Sequence, residues 1–375
     1  MLTGHRVERI DPAGGTVSGS NEASGGFQIG FDRLLIATGA DPIIPDRPGF
    51  DLPGVVVVKT LDDARTIKAL LQSRPVQTAV ILGMGYIAME MAEALTGRGV
   101  SVQMAKPRTI LLPWMAPDLS DTVRRELEDH KVSLHTGFAL DRIESSNHQL
   151  NVIDSNNGTL SADMVVVAIG VKPNSHLAAD SGLALGPGGA IAVDRQMRTS
   201  HPQIYAAGDC ADAYHVVTGQ KTWVPLALRA NRAGWAVADH LSGKPVSLQG
   251  VAGTSVFKVF DLQVARTGLT LKEAEGAGFD PVAVTIEASS RAHAHPGGTS
   301  IQVHMLGDKT TGRLLGTQMV GHEGVAHRIN APAVALHAGM TVEQFSQSDL
   351  AYAPPFGPTW DPLLIAANQL AKKMA

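Results

Sequence analysis

The apolar positions of this chain fall into two rhythms. Ala79-Val80-Ile81-Leu82, residues 55–58 and residues 164–169 are unbroken aliphatic runs of strand length. Strands buried on both faces read this way. Between them, residues 61–72, 87–95 and 118–129 carry apolar residues at helical spacing. Asp62 and Asp63 open the first of these segments, where a helix N-terminus favours negative charge. Residues 101–104 and 132–135 continue the alternation of strand and helix, and alternating strands around 142–152 add a small meander. This pattern predicts a doubly wound α/β unit from about residue 76. A helix is expected over Ala227–Leu241, ending at Gly243, followed by a linker over 245–253. From Thr254 the texture changes to β-rich segments (255–260, 281–286, 299–306, 314–320) and two late helices, which predicts a separate α+β domain.

One segment joins a strand to a helix through glycines: TAVILGMGYIAME, residues 78–90. Gly83 allows a tight turn, and Gly85 lets a pyrophosphate approach the backbone. Ala88 is small enough for the helix to pack on the strand. The first turn of that helix presents unpaired N–H groups to phosphate. Strand before and helix after give the GxGxxA pattern the context a dinucleotide fingerprint needs.

A second pattern occurs twice. Asp32-Arg-Leu-Leu-Ile-Ala37-Thr38-Gly39 matches Asp163-Met-Val-Val-Val-Ala168-Ile169-Gly170. Each is a candidate buried strand ending in a glycine, where backbone can lie close to a ligand. The alternative is two unrelated core strands. If the echo is real, two related nucleotide-binding units are present. The first has only 31 residues before Asp32, with no GxGxxG among them. Residues 5–10 and 27–31 read as strands around a Gly/Ser-rich turn. The opening βαβ of the first unit is therefore expected to be missing, a loss that would expose apolar surface.

Composition narrows the partners. The 375 residues are 44% hydrophobic and 18% charged, with net charge −4. No basic surplus points to nucleic acid or an anionic membrane. No apolar run reaches the roughly 18 residues of a membrane span. The N-terminus shows no signal-peptide pattern. The single cysteine, Cys210, excludes an internal disulfide, and a reducing, cytoplasmic setting is the simplest reading.

With these motifs in place, the chain resembles the FAD-dependent pyridine nucleotide–disulfide oxidoreductases over essentially its whole length. TSHPQIYAAGDCAD resembles the family's second flavin motif, with Gly208 and Asp209 in the flavin-binding positions, and Ala37-Thr38-Gly39 resembles its central one. GMGYIAME is similar to its NAD(P) fingerprint. There Tyr86 resembles the residue over the nicotinamide pocket, beside Ile87, and Glu90 one that faces the nicotinamide. KVFDLQVARTGLT and LAYAPPFGPTWDP resemble the coenzyme A disulfide reductase and NADH oxidase branch. The resemblance also implies cofactor contacts at Gly170, Leu226 and Ala227.

The resemblance implies two Rossmann-like nucleotide-binding domains, the FAD one incomplete, plus a C-terminal α+β dimerisation domain. The division would be 1–60 and 166–248 for FAD, 61–165 for NAD(P) and 249–375 for dimerisation. NAD(P)H would reduce FAD, which would reduce a disulfide, polysulfide or oxygen acceptor in a homodimer. The family's first flavin fingerprint and redox cysteine are not found here, and Cys210 reads as a buried small hydrophobe. A non-catalytic nucleotide-binding or dimerisation module without flavin is the alternative, as is an enzyme completed by a partner. For Asp209, a helix N-cap is the competing reading.

NAD sites place a carboxylate about 20 residues after the first glycine. Here that region holds Gln103, Met104 and Ala105, followed by Lys106 and Arg108. Such cations suit a 2′-phosphate. The expectation is NADP, with NAD possible; solvated loop charges are the alternative. Tyr352 corresponds to a tyrosine that reaches the partner's active site in the disulfide-reductase branch, and an ordinary interface aromatic is the other reading. His293 and His295 can share a strand face, but no third metal ligand stands at fixed spacing, so no metal is assigned.

Overall fold

The computed structural model describes residues 1–21, 25–146 and 149–375. The continuous apolar runs become strands of one parallel sheet. Its order is Val55–Val57, Met164–Val167, Thr78–Leu82, Ser101–Lys106, Ser133–Thr136. Ala79, Val80, Ile81 and Met164 to Val166 are wholly buried, which is why no polar residue interrupts them. Alternate side chains serve opposite faces. Ala79 and Ile81 join a core with Met89, Leu95, Leu119 and Leu127 from the helices Tyr86–Thr96 and Pro117–Asp129. Val80 and Leu82 join another with Leu150, Val152 and Ala162. Those three come from the meander Leu140–Ser146, Gln149–Asp154 and Thr159–Ala162. Two residues of the expected meander, 147 and 148, lie outside the described residues.

Helix Leu61–Ser73 starts with a capping box. Thr60 Oγ1 accepts from the Asp63 N–H at 3.1 Å, and Asp63 Oδ2 accepts from the Thr60 N–H at 2.7 Å. Such a cap stabilises a helix by about 1 kcal/mol.

Residues 252–375 form an antiparallel sheet ordered Ser255–Val259, Leu262–Gly268, Leu314–Gly321, Ser300–Asp308, Pro281–Ser289. Helix Pro362–Met374 packs on it through Leu363, Ala366, Ala367 and Leu370. The strand Leu262–Gly268 is not apparent from periodicity. It arises because Phe260, at φ +50°, turns the expected run back as a hairpin. Segments 42–170 and 252–375 make one compact unit; 1–41 and 171–251 make another.

In that other unit, His5–Asp11, Thr16–Asn21 and Gly25–Gly30 form an antiparallel sheet. The middle strand lies where the sequence suggests a Gly/Ser-rich turn. Its small residues serve the pairing: a Cβ on Gly19 would stand 1.8 Å from the Arg6 carbonyl oxygen, beside a register shift between Val7 and Arg9. Glycine inside a strand permits such a bulge. Leu34–Ile36 pairs in parallel with Ile204–Ala206, over a core of Ile10, Ile36, Ile191, Ile204 and Val237.

Candidate nucleotide-binding site

In the parallel sheet, the strands that follow Thr78–Leu82 directly in the chain lie on one side of it. Met164–Val167 and Val55–Val57 lie on the other. This is the topological switch point, and ligands bind outside the carboxyl ends of the strands there. Gly83 occupies that end, with φ +111°. A Cβ on it would meet the Ala168 carbonyl oxygen at 2.3 Å, so the turn admits glycine alone. Its N–H donates to the Ala105 carbonyl at 2.8 Å. Gly85 is different. Its φ of −86° suits any residue, and nothing lies within 4 Å of a Cβ built there. Its missing side chain leaves room rather than relieving strain. Ala88 is fully buried under the helix that begins at Tyr86, and Gly85 caps that helix without a side-chain bond. The strand's position is fixed from below by Asp163. Its carboxylate accepts from the N–H groups of Gln77 and Thr78 at 2.9 Å each and from Thr78 Oγ1 at 3.1 Å. Burial works to raise the Asp163 pKa, but these bonds outweigh it and hold it low.

Tyr86 and Ile87 are 40% and 37% exposed at the start of the helix. Glu90, one turn on, lies on the surface, yet desolvation and then the Glu93 charge push its carboxyl above the usual range. Gly170, across the crevice at φ +122°, accepts from the Ile43 N–H at 3.0 Å.

The two cations of the next loop separate in the structure. Lys106 Nζ donates to the carbonyls of Ile110 and Leu111 at 2.6 and 2.8 Å. Burial, then the Arg108 charge, lowers its pKa. Arg108 is exposed. Lys106 therefore shapes the loop and Arg108 presents charge from it. Gln103 donates to the Ser161 carbonyl at 3.3 Å, and Met104 and Ala105 are buried, so residues 103–105 offer no carboxylate.

The flavin-type residues lie in the other unit. Ala37 and Thr38 are exposed at the end of their strand. Thr38 Oγ1 donates to the Asn174 carbonyl, and Asn174 N–H donates to the Gly39 carbonyl at 2.9 Å. Gly39 and Gly208 take φ of +72° and +88°, and a Cβ on either would meet nothing within 4 Å. Trp223 Nε1 donates to the Asp209 carbonyl at 2.8 Å. No helix starts at Asp209, so it caps none; the N-cap of Ala227–Leu241 is Leu226, with no side-chain bond. Buried Arg229 from that helix donates to the carbonyls of Gly208 and Asp212. Cys210 is wholly buried, its Sγ 3.2 Å from the Ala207 carbonyl. The open space above two glycines at strand ends, with a carboxylate beside one of them, suits a hydroxylated, phosphate-bearing cofactor such as FAD.

Tyr352, half exposed, lies in the irregular segment before helix Pro362–Met374. Arg328 organises that segment. It donates to Asp361 Oδ2 at 2.8 Å and to the Phe356 carbonyl at 2.7 Å. Gly324, just before the helix Val325–Arg328, takes φ +77°, a conformation that favours glycine. His293 and His295 sit in the turn between Pro281–Ser289 and Ser300–Asp308, not on a strand, so they share no strand face. Among the described residues no three His, Cys, Asp or Glu side chains group as a metal site. Sequence reasoning missed Arg328 and Arg229. Each reaches carbonyls of distant segments, and Arg328 also the Asp361 carboxylate, which no local pattern announces.

No helix among the described residues is long and apolar enough to cross a membrane. Residues 1–234 match the family model "Pyridine nucleotide-disulphide oxidoreductase", and residues 254–362 match that family's dimerisation domain. The chain is 40% identical to the CoA-dependent NAD(P)H sulfur oxidoreductase of Pyrococcus furiosus, over 91% of this chain and 76% of that protein. It superposes with TM-score 0.93 and 35% identity on a NAD-dependent persulfide reductase from A. fulgidus, covering 98% of this chain and 68% of that one. A third similar structure is an engineered water-forming NADPH oxidase, made from the NADH oxidase of Lactobacillus brevis and solved with NADPH. There the TM-score is 0.94 and the identity 27%, over 99% of this chain and 82% of that one. The chain belongs to the pyridine nucleotide-disulphide oxidoreductase family of oxidoreductases.

Proposed function

We propose that this chain is an NADPH-preferring, FAD-dependent oxidoreductase acting as a homodimer in the cytoplasm, on a disulfide, polysulfide or oxygen-type acceptor. Flavin, when bound, supplies two-electron hydride chemistry between pyridine nucleotide and acceptor. Residues 1–60 and 166–248 would serve FAD, 61–165 the pyridine nucleotide and 249–375 the dimer. Ala37, Thr38, Gly39, Gly208, Asp209, Leu226 and Ala227 would hold the flavin. Gly83, Gly85 and the first helical turn would receive the pyrophosphate, with Tyr86, Ile87, Glu90 and Gly170 around the nicotinamide. Tyr352 would serve the acceptor.

The observation that carries the NADPH preference is the loop after Ser101–Lys106. It offers Arg108 to solvent and no carboxylate to ribose hydroxyls. A 2′-phosphate gains from such a guanidinium, and an acidic residue would repel it. The engineered NADPH oxidase gives independent support. Among its five substitutions are a glycine to alanine and, eighteen residues later, an aspartate to alanine. Ala88 and Lys106 of this chain stand at that same spacing, with neither glycine nor aspartate. The names of the other relatives, for sulfur and persulfide, favour a sulfur acceptor.

The test is a calorimetric titration of the full chain with NADP+ and NAD+, alongside a visible spectrum. NADP+ should bind about tenfold more tightly. A yellow preparation should bleach with NADPH and recover its colour with polysulfide or air. Equal affinities sink the preference, and a colourless protein that never takes up FAD sinks the redox role.

A further inference from the structure

The motif KVFDLQVARTGLT is not used by the chemistry above, yet its hairpin grips the fingerprint helix at both ends. Near the C-terminal end, Glu93 accepts from Lys258 Nζ at 2.8 Å and from the Phe260 N–H at 3.0 Å. On the neighbouring helix, Glu126 accepts from the Asp261 N–H at 3.1 Å, and His130 stacks on Phe260 at 3.9 Å and 6°. These contacts hold Phe260 in a left-handed conformation that a bulky residue otherwise avoids. At the N-terminal end the hairpin meets Tyr86. The Tyr86 and Phe257 rings lie 6.1 Å apart, tilted at 43°. Phe257 is buried and is itself backed by Trp114 at 6.4 Å. Buried Gln318 holds Trp114 in place, donating to its carbonyl at 3.0 Å and accepting from the Ala116 N–H at 2.8 Å.

Tyr86 is the first helical residue, one position after the phosphate turn, and its half-exposed ring therefore stands at the mouth of the crevice. The ring against its inner side, Phe257, is fixed by the core and belongs to the C-terminal segment of the same compact unit. We propose that Phe257 is a positioning residue for Tyr86, so that the C-terminal domain sets the ring that covers the nicotinamide. This rests on the pyridine-nucleotide reading above and adds a residue and a domain to that site. Tilted aromatic pairs favour particular geometries, so replacing Phe257 changes the orientation that Tyr86 prefers.

The experiment compares two probes on the full chain: NADP+, and 2′-phospho-ADP-ribose, which lacks the nicotinamide. Phe257→Leu should weaken NADP+ by about three- to tenfold, in line with the strength of one aromatic pair, and leave the fragment unchanged. Phe257→Tyr should restore the wild-type affinity. In a Tyr86→Leu background, Phe257→Leu should add nothing, as coupled residues require. Phe257→Met serves if the leucine variant fails to fold. Equal weakening of both probes, no weakening of NADP+, or additive effects in the double variant overturn the proposal. Wild-type protein that binds neither probe overturns the proposed function and this inference with it. Wild-type protein that binds both, with variants that match it, overturns this inference alone.

Discussion

The backbone of Gly83 passes so close to Ala168 that a single added methyl would stand 2.3 Å from the Ala168 carbonyl oxygen. Gly85, two residues on, has open space around the same position. The two glycines of one motif are therefore required for different reasons, and substitution separates them. Gly83→Ala should lower stability by about 2–4 kcal/mol through clash and a disallowed φ. Gly85→Ala should melt within about 1 °C of wild type, because its strain-free backbone keeps the cost within a few tenths of a kcal/mol. It should still bind NADP+ about tenfold more weakly, since the methyl stands where the pyrophosphate approaches. Thermal melts beside NADP+ titrations check both.

Lys106 and Arg108 should also separate. Lys106→Met removes the donor to two carbonyls and should cost about 1–3 kcal/mol of stability. Arg108→Ala should leave the melting temperature unchanged and reduce the NADP+ over NAD+ preference by about tenfold. The ratio of the two dissociation constants, measured for each variant, tests this.

Arg229 ties helix Ala227–Leu241 to the strand end that carries Gly208 and Asp209. Burial lowers its pKa; the nearby Asp212 and Asp209 carboxylates oppose that fall. Arg229→Met keeps the volume but leaves the Gly208 and Asp212 carbonyls without this donor. A loss of about 2–4 kcal/mol is expected, together with weaker FAD retention, measured as the flavin absorbance remaining after gel filtration.

His304 gives the pH dependence. Its Nδ1 lies 2.9 Å from Thr285 Oγ1. Burial pushes its pKa down from 6.5 to about 4; Asp118 opposes the fall and Lys373 adds to it. The fold holds the neutral ring, so the unfolded chain takes up a proton that the native chain refuses. Stability is therefore lost as pH falls from 6.5 towards 4. His304→Gln should reduce the drop in melting temperature between roughly pH 7 and pH 4.5 by about 3 °C.

The parallel sheet was legible because burial on both faces writes itself as unbroken aliphatic runs, as in Ala79 to Leu82. The fingerprint was legible because Gly83, Gly85 and Ala88 each answer a steric demand within one short segment. Thr16–Asn21 was not, since its strand character comes from partners on both sides rather than from Thr, Ser and Gly themselves. Lys106 read as a free cation, because the carbonyls of Ile110 and Leu111 return to it through a loop conformation that spacing does not encode. Phe257 and Arg328 gave no signal at all. Phe257 matters through Tyr86, and Arg328 through Asp361 and the Phe356 carbonyl, partners that only the folded chain brings to them.

The order of the parallel sheet also sets a schedule. Met164–Val167 lies between Val55–Val57 and Thr78–Leu82, although it is made after both. Until it arrives, Val55–Val57 has no partner in that sheet, and the carbonyl wall against which Gly83 turns does not exist. Closing so long a loop is entropically expensive and slow. During synthesis the crevice therefore forms late, only after residue 170 has left the ribosome, and until then Val55–Val57 and one edge of Thr78–Leu82 lie open to mispairing.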